Sequence, residues 1–204
     1  MHLPLTFDPE ARPMRAWPML LYLHGFGSCP LFSYSEQSLS SPGLQKAASD
    51  FVVLSPHCDW DWRETPGAWV NELVSEFRAA RWIDKQRIYC AGFSMGGMGT
   101  WEVAAAKPEW YAAIAPVGAH HEESHRQRIA ASLARTPVLA VHSPRDGVCW
   151  IELEIPLWRE LRSRGCTGLQ TNVVRGYRHH EVYEMAFDHS TQVYDWLLMH
   201  TQTG

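Results

Sequence analysis

No run of lysine and arginine occurs in the 204 residues, and the net charge is -4. Nucleic acid and anionic membrane surfaces both demand a basic footprint, so neither is an expected partner. Long apolar runs are missing too. The first residues, Met1 to Glu10, lack a basic segment followed by an apolar one and are interrupted by Pro4, Asp8 and Pro9, so neither a secretory signal nor a membrane span is expected. Cysteine is sparse and unpatterned. Cys29, Cys58, Cys90, Cys149 and Cys166 are odd in number and show no C-x-x-C spacing, which fits free thiols in a reducing compartment and a cytoplasmic location. Cys29 and Cys58 both fall in loops after strands, yet a bridge between them is not expected. Repeats, low-complexity segments and interdomain linkers are also absent. The length suits one domain over 1–204 with a real core and no inserted substrate-covering domain. Small neutral substrates remain open.

What is present is an alternation. Six short apolar runs read as strands: Met19 to His24, Phe51 to Ser55, Arg87 to Phe93, Tyr111 to Val117, Val138 to Ser143 and Leu169 to Val174. Most are nearly continuous in apolar residues, as strands covered on both faces should be. Helical patterns lie between them. Over Ala68 to Ala80, Trp69, Val70, Leu73, Val74 and Phe77 recur at helical spacing. Met95 to Lys107 is rich in Ala and Gly, suiting a helix packed close against a sheet, and Pro108 ends it. Further helices are expected over Glu122 to Ala134, over Ile151 to Arg164 with a break or kink near Pro156, and over Met185 to Met199. This order predicts a three-layer α/β/α sandwich around a mostly parallel, doubly wound sheet.

In such a sheet, ligands and catalytic groups collect in the loops beyond the carboxyl ends of the strands. The third strand runs into Gly92-Phe93-Ser94-Met95-Gly96-Gly97. A serine on a sharp strand-to-helix turn adopts a strained backbone and needs small neighbours, which the glycines supply. A G-x-S-x-G pattern alone arises by chance in roughly one chain in fifteen of this length, so its context must carry the case. Serine could also be a plain helix N-cap, a reading that glycines on both sides weaken.

A serine hydroxyl becomes a nucleophile when a base within hydrogen-bond reach takes its proton. Among eleven histidines, those after the last strand fit the fold order: His179, His180 and, less well, His189. His180 is the expected base, with His179 as the alternative. The imidazole needs a buried carboxylate to fix its tautomer, and Asp146 follows the fifth strand in Ser143-Pro144-Arg145-Asp146-Gly147. Glu152 and Glu154 are its competitors, but lie in the next helix and would have to reach back. Backbone N–H groups of Met95 and of Phe26, or failing that Gly27, are the candidates for meeting an oxyanion. His24 reads as a brace for that first loop.

These residues resemble the α/β-hydrolase superfamily from Leu20 to Leu198. Within it the chain is similar to compact esterases of the carboxylesterase, feruloyl-esterase and predicted-peptidase kind. The likeness rests on Leu21 to Gly27 for the oxyanion loop, Ala91 to Trp101 for the elbow, His142 to Val148 for the acid, and His180 to Trp196 for the base. In these relatives the elbow commonly reads G-x-S-M-G-G followed by G-T-W, as it does here through Met98-Gly99-Thr100-Trp101. Their catalytic histidine often follows a glycine and precedes an aromatic by three residues. Tyr183 matches the second requirement for His180, but His179 replaces the glycine. The resemblance implies two-step hydrolysis of esters of small or medium acyl groups by Ser94, His180 and Asp146 through an acyl-enzyme, without metal or organic cofactor. Peptidase, amidase or thioesterase activity with the same triad is the alternative, and a noncatalytic binding protein on this fold the more distant one. The chain offers no propeller or other gate for peptides.

Tryptophans near the strand ends bear on substrate. Trp60, Trp62 and Trp69 follow the second strand, and Trp150 follows the acid loop. Trp69, Val148 and Trp150 are the candidate substrate-binding residues, although large aromatic residues serve equally in helix-to-sheet packing. His120, His121 and His125 stand near Glu122 and Glu123 but show no metal-ligand spacing, so no metal is expected.

Overall fold

All seven residues of Trp17-Pro18-Met19-Leu20-Leu21-Tyr22-Leu23 are buried, which requires cover on both faces of the strand they form. The computed structural model describes residues 1–4, 6–8, 10, 16–27, 41–59, 61–63 and 68–202. Six strands, β1 (Trp17–Leu23), β2 (Val52–Leu54), β3 (Ile83–Phe93), β4 (Ala113–Val117), β5 (Val138–His142) and β6 (Leu169–Val173), make one sheet. Every pairing among them is parallel, in the order β2-β1-β3-β4-β5-β6. The chain therefore steps from β1 to one side and returns to build the other. Such a reversal opens a crevice at the carboxyl ends of the two strands that flank it, here β1 and β3.

Side-chain alternation along β1 assigns the layers. Met19, Leu21 and Leu23 pack with α2 (Ala68–Arg78), α3 (Met95–Ala106), α4 (Glu123–Ser132) and α5 (Ile151–Ser163). Leu20 and Tyr22 point the other way, into a core shared with α1 (Pro42–Asp50), α6 (His179–Tyr183), a π turn (Glu184–Asp188) and α7 (Gln192–Leu198). Among the described residues no helix is long and apolar enough to cross a membrane.

Several elements differ from the sequence expectation, α6 among them. Helix α1 lies where none is anticipated, because its buried face is only Gly43, Leu44, Ala47 and Ala48. Strand β3 starts at Ile83 rather than Arg87; its polar residues Asp84 to Gln86 are partly or fully exposed and span a register shift against β1. Helix α5 runs through Pro156 without a break. The carbonyl that this proline cannot bond belongs to Glu152, an exposed residue, where water can satisfy it. Finally, the single helix expected over Met185 to Met199 is two pieces, because the His189 N–H bonds back to the Glu184 carbonyl five residues earlier (2.7 Å) and α7 restarts after Ser190.

Helix α3 also holds a buried charge. The Glu102 carboxylate, fully out of solvent, accepts from His125 Nδ1 at 2.6 Å and from Arg128, with His121 Nε2 at 3.5 Å. Burial alone would raise its pKa, but these three partners outweigh it and bring the value to about 2. The paired groups of His121 and His125 thus lie on α3, not at Glu122 or Glu123.

Gly43 offers a test of the packing. An added Cβ there would lie 2.0 Å from the Phe187 carbonyl oxygen of the π turn. Glycine to alanine inside a helix normally stabilises by about 1 kcal/mol. Here Gly43→Ala is expected to lower stability to urea unfolding instead, by about 1–3 kcal/mol as overpacking does; an increase would contradict this contact.

Candidate active site

Strand β3 ends at Phe93 and α3 begins at Met95, leaving Ser94 alone to make the turn. Its backbone sits at φ 57 and ψ -119, the one positive φ among the described non-glycine residues. Such a conformation costs about 1–3 kcal/mol and persists where its surroundings enforce it. The enforcement is visible: a Cβ on Gly96 would lie 1.9 Å from the Leu23 carbonyl oxygen, and one on Gly92 would lie 2.4 Å from that of Gly96. The start of α3 therefore rests directly on the ends of β1 and β3. Ser94 makes no side-chain capping bond. Its hydroxyl instead lies 2.8 Å from His179 Nε2.

His179 completes a line of hydrogen bonds. Its Nδ1 is 2.7 Å from Asp146 Oδ2, and Asp146 Oδ1 accepts from the backbone N–H groups of Val148 (2.9 Å) and Cys149 (2.8 Å). Burial pushes the Asp146 pKa up, but the bonds from His179, Cys149 and Val148 prevail and hold it below the usual carboxylate value. An ionised Asp146 can only accept, so Nδ1 carries the proton and Nε2 is left to accept from the serine hydroxyl. The loops bearing the two groups are tied together. Ser143 Oγ donates to the Tyr177 carbonyl (2.5 Å), and the Val174 N–H donates to the His142 carbonyl (2.8 Å).

The histidine in this line is His179 and not His180, which the sequence favoured. His179 is the first residue of α6 and only 7% exposed, whereas His180, the next residue, is exposed. One helical step turns a side chain by about 100°, so two neighbours in a helix cannot both reach the serine hydroxyl. Tyr183 stands four residues after His179, on the same face, and both rings pack on Phe93, with centroids 4.5 Å (His179) and 5.4 Å (Tyr183) away. Tyr183 thus stands four residues after the histidine of this line, one turn along α6, and not the three residues expected.

The loop after β1 is pinned from beneath. His24 is buried; its Nδ1 donates to the Gly25 carbonyl (2.8 Å) and its Nε2 accepts from the Cys58 N–H (3.0 Å). Trp62 Nε1 donates to the His24 carbonyl (2.9 Å), and the Trp62 Cβ sits where a Cβ on Gly99 would have to go. Burial lowers the His24 pKa, in keeping with a neutral brace. Phe26 follows in this loop with its side chain 78% exposed. Anything Phe26 contributes to a site below it comes from its backbone.

Of the candidate substrate residues, Val148 lies nearest the chemistry, lining a cavity that also includes His179. Trp69 stacks on Trp62, with ring centroids 5.8 Å apart, and Trp150 is exposed at the start of α5. Trp60 and Cys29 lie outside the described residues; Cys58, Cys90, Cys149 and Cys166 are free thiols. Two neighbours carry no local sequence signal. Cys149 Sγ lies 3.9 Å from Ser94 Oγ, and burial pushes that thiol up to about 12. Glu154 turns into the core, where its Oε1 accepts from Trp101 Nε1 (3.0 Å) and its Oε2 is 3.7 Å from His142 Nε2. Burial drives its pKa well up.

No protein-family model matches the chain. A bifunctional acetylxylan esterase/xylanase from Neocallimastix patriciarum is 32% identical over 139 residues, which cover 64% of this chain. The chain spans only 19% of that protein's length. Among solved structures, a thermostable esterase superposes with a TM-score of 0.73 at 23% identity, covering 98% of this chain and 57% of its own. The substrate-bound fluorophosphonate-binding serine hydrolase F of Staphylococcus aureus superposes with a TM-score of 0.71 at 15% identity, covering 96% and 90%. With a parallel sheet wound in both directions, a strained serine between β3 and α3, and this correspondence over nearly its full length, the chain has the α/β-hydrolase fold.

Proposed function

We propose that the chain hydrolyses carboxylic esters of small or medium acyl groups through an acyl-enzyme on Ser94. The observation that carries this reading is the unbroken hydrogen-bond line from Ser94 Oγ through His179 to Asp146, at 2.8 and 2.7 Å. In the first step His179 Nε2 takes the hydroxyl proton as Oγ adds to the ester carbonyl carbon. The resulting oxyanion is met by the backbone N–H of Met95, a free donor at the start of α3, and by that of Phe26. Collapse breaks the bond to the alcohol oxygen, which leaves with the proton from His179. Water then gives a proton to the same nitrogen as it attacks the acyl-enzyme, and the acid departs with Oγ reprotonated. Asp146, held as a carboxylate by two amides and the imidazole, stabilises the imidazolium that forms in each step.

Amides and thioesters can follow the same route, amides with the harder leaving group. The esterase reading draws support from the curated relative and from the solved esterase and serine hydrolase structures. The relative's name makes acetyl esters the first to assay.

Purified protein is expected to hydrolyse short p-nitrophenyl esters and to be labelled by a fluorophosphonate. Ser94→Ala should lose on the order of 10⁴-fold or more in kcat and the labelling with it; an unchanged rate would reject the nucleophile. His179→Ala is expected to lose a comparable factor, and His180→Ala far less. The reverse order would put proton transfer on His180.

A further inference from the structure

A cavity of about 590 Å³ opens on the outer side of His179, between the acid loop and the start of α6. Its wall includes Arg145, Val148, Arg178, His179, His180 and Glu181. In the mechanism above, His179 delivers its proton to the departing alcohol oxygen. Of the residues in the mechanism, His179 is in this wall, and Ser94, Met95 and Phe26 are not. A group seated here lies on the side of the histidine that protonates the leaving oxygen, which suits the alcohol half of the ester.

The wall carries two arginines against one glutamate. Some arginines elsewhere, such as Arg63, Arg87, Arg128 and Arg164, have a carboxylate partner. Arg145 and Arg178 have no ion pair among the described residues; Arg145 Nη1 reaches only the Gly176 carbonyl at 3.5 Å, and both residues are exposed. Glu181 is the single carboxylate lining the cavity, and its Oε2 is engaged with the Arg178 backbone N–H at 2.5 Å. Two arginines thus line the space against one carboxylate, which bonds the backbone N–H of Arg178. A guanidinium presents paired N–H donors in a plane that matches a carboxylate. Val148, whose side chain is exposed in the same wall, offers an apolar surface for the carbon frame between the two ends.

We propose that this cavity is a leaving-group subsite for alcohols that carry a carboxylate, with Arg145 and Arg178 as specificity-determining residues. The inference rests on the esterase reading and narrows its substrate class to esters whose alcohol moiety is anionic. It sets KM through Coulomb attraction and hydrogen bonding at a distance from the reacting bond, leaving the proton transfers to His179.

A matched pair of substrates reads this directly: 4-acetoxybenzoate and its neutral counterpart 4-acetoxybenzamide, assayed for kcat and KM. Wild type is expected to favour the anion by roughly tenfold or more in kcat/KM, mostly through KM, as charge-assisted hydrogen bonds allow. In Arg145→Ala and Arg178→Ala the anion-to-amide ratio should fall by several fold each, and the lysine variants should retain part of it. Raising the salt to about 1 M should also compress the ratio, since the groups are solvent-exposed. Equal KM values in wild type, or an unchanged ratio in both alanine variants, would overturn the subsite. Turnover of the neutral amide-bearing ester separately reports the esterase reading. If neither ester turns over, calorimetry on Ser94→Ala protein decides: 4-hydroxybenzoate should bind more tightly than 4-hydroxybenzamide and lose that advantage in the added Arg145→Ala/Arg178→Ala background. Equal binding, or none, overturns the proposal.

Discussion

The contact on which the site depends is between backbones. The first turn of α3 lies against the ends of β1 and β3 so closely that a Cβ on Gly96 would overlap the Leu23 carbonyl. This approach bends the chain into the φ 57 conformation of Ser94 and aims its hydroxyl out of the sheet towards His179. It also sets the amide end of α3 beside the nucleophile, where a developing negative charge would be stabilised. The same sheet ends anchor the next layer of support. His24 follows β1 directly, and Cys58 and Trp62 hold it, so the loop that carries Phe26 is fixed from the residue preceding Gly25.

A second constraint acts across the far half of the sheet. β5 and β6 are adjacent and parallel, and their exits are stitched by the bonds from Ser143 to Tyr177 and from Val174 to His142. Those bonds bring the Asp146 turn beside the N-terminal residue of α6. Asp146 then gains three donors, two from its own turn and one from His179. These offset the cost of burying its charge. Linkage gives this a direction: a carboxylate whose folded pKa is depressed adds stability above its unfolded pKa, and that stability is lost as pH falls through the folded value.

The sheet, its strand order of chemistry and two of the three residues in the hydrogen-bonded line were legible because strand ends are punctuated by Gly, Pro and polar residues. Ser94 follows its apolar run directly, and Asp146 follows its own within four residues. The third residue was displaced by one position because α6 has five residues, too few to show a helical period, and its two histidines looked interchangeable in a loop. Helix α1 hid for a related reason: Gly43, required by the Phe187 carbonyl, argues against a helix by propensity. The buried carboxylates left no local trace. The hydrogen-bond partners of Glu102, His125 and Arg128, lie 23 and 26 residues away, and Trp101, which bonds Glu154, lies 53 residues away. Only the folded arrangement of α3, α4 and α5 joins them.

The central claim is that His179 bridges Ser94 and Asp146. Proton NMR of the imidazole N–H groups tests it without reference to substrate, because a histidine proton held by a carboxylate resonates far downfield and exchanges slowly. His125 and the exposed His57 also face carboxylates, Glu102 and Asp59, and Glu102→Gln and Asp59→Asn identify any resonance from them. A further resonance is expected that disappears in His179→Ala and in Asp146→Ala but persists in His180→Ala. Loss of that resonance in His180→Ala, with retention in His179→Ala, would contradict it.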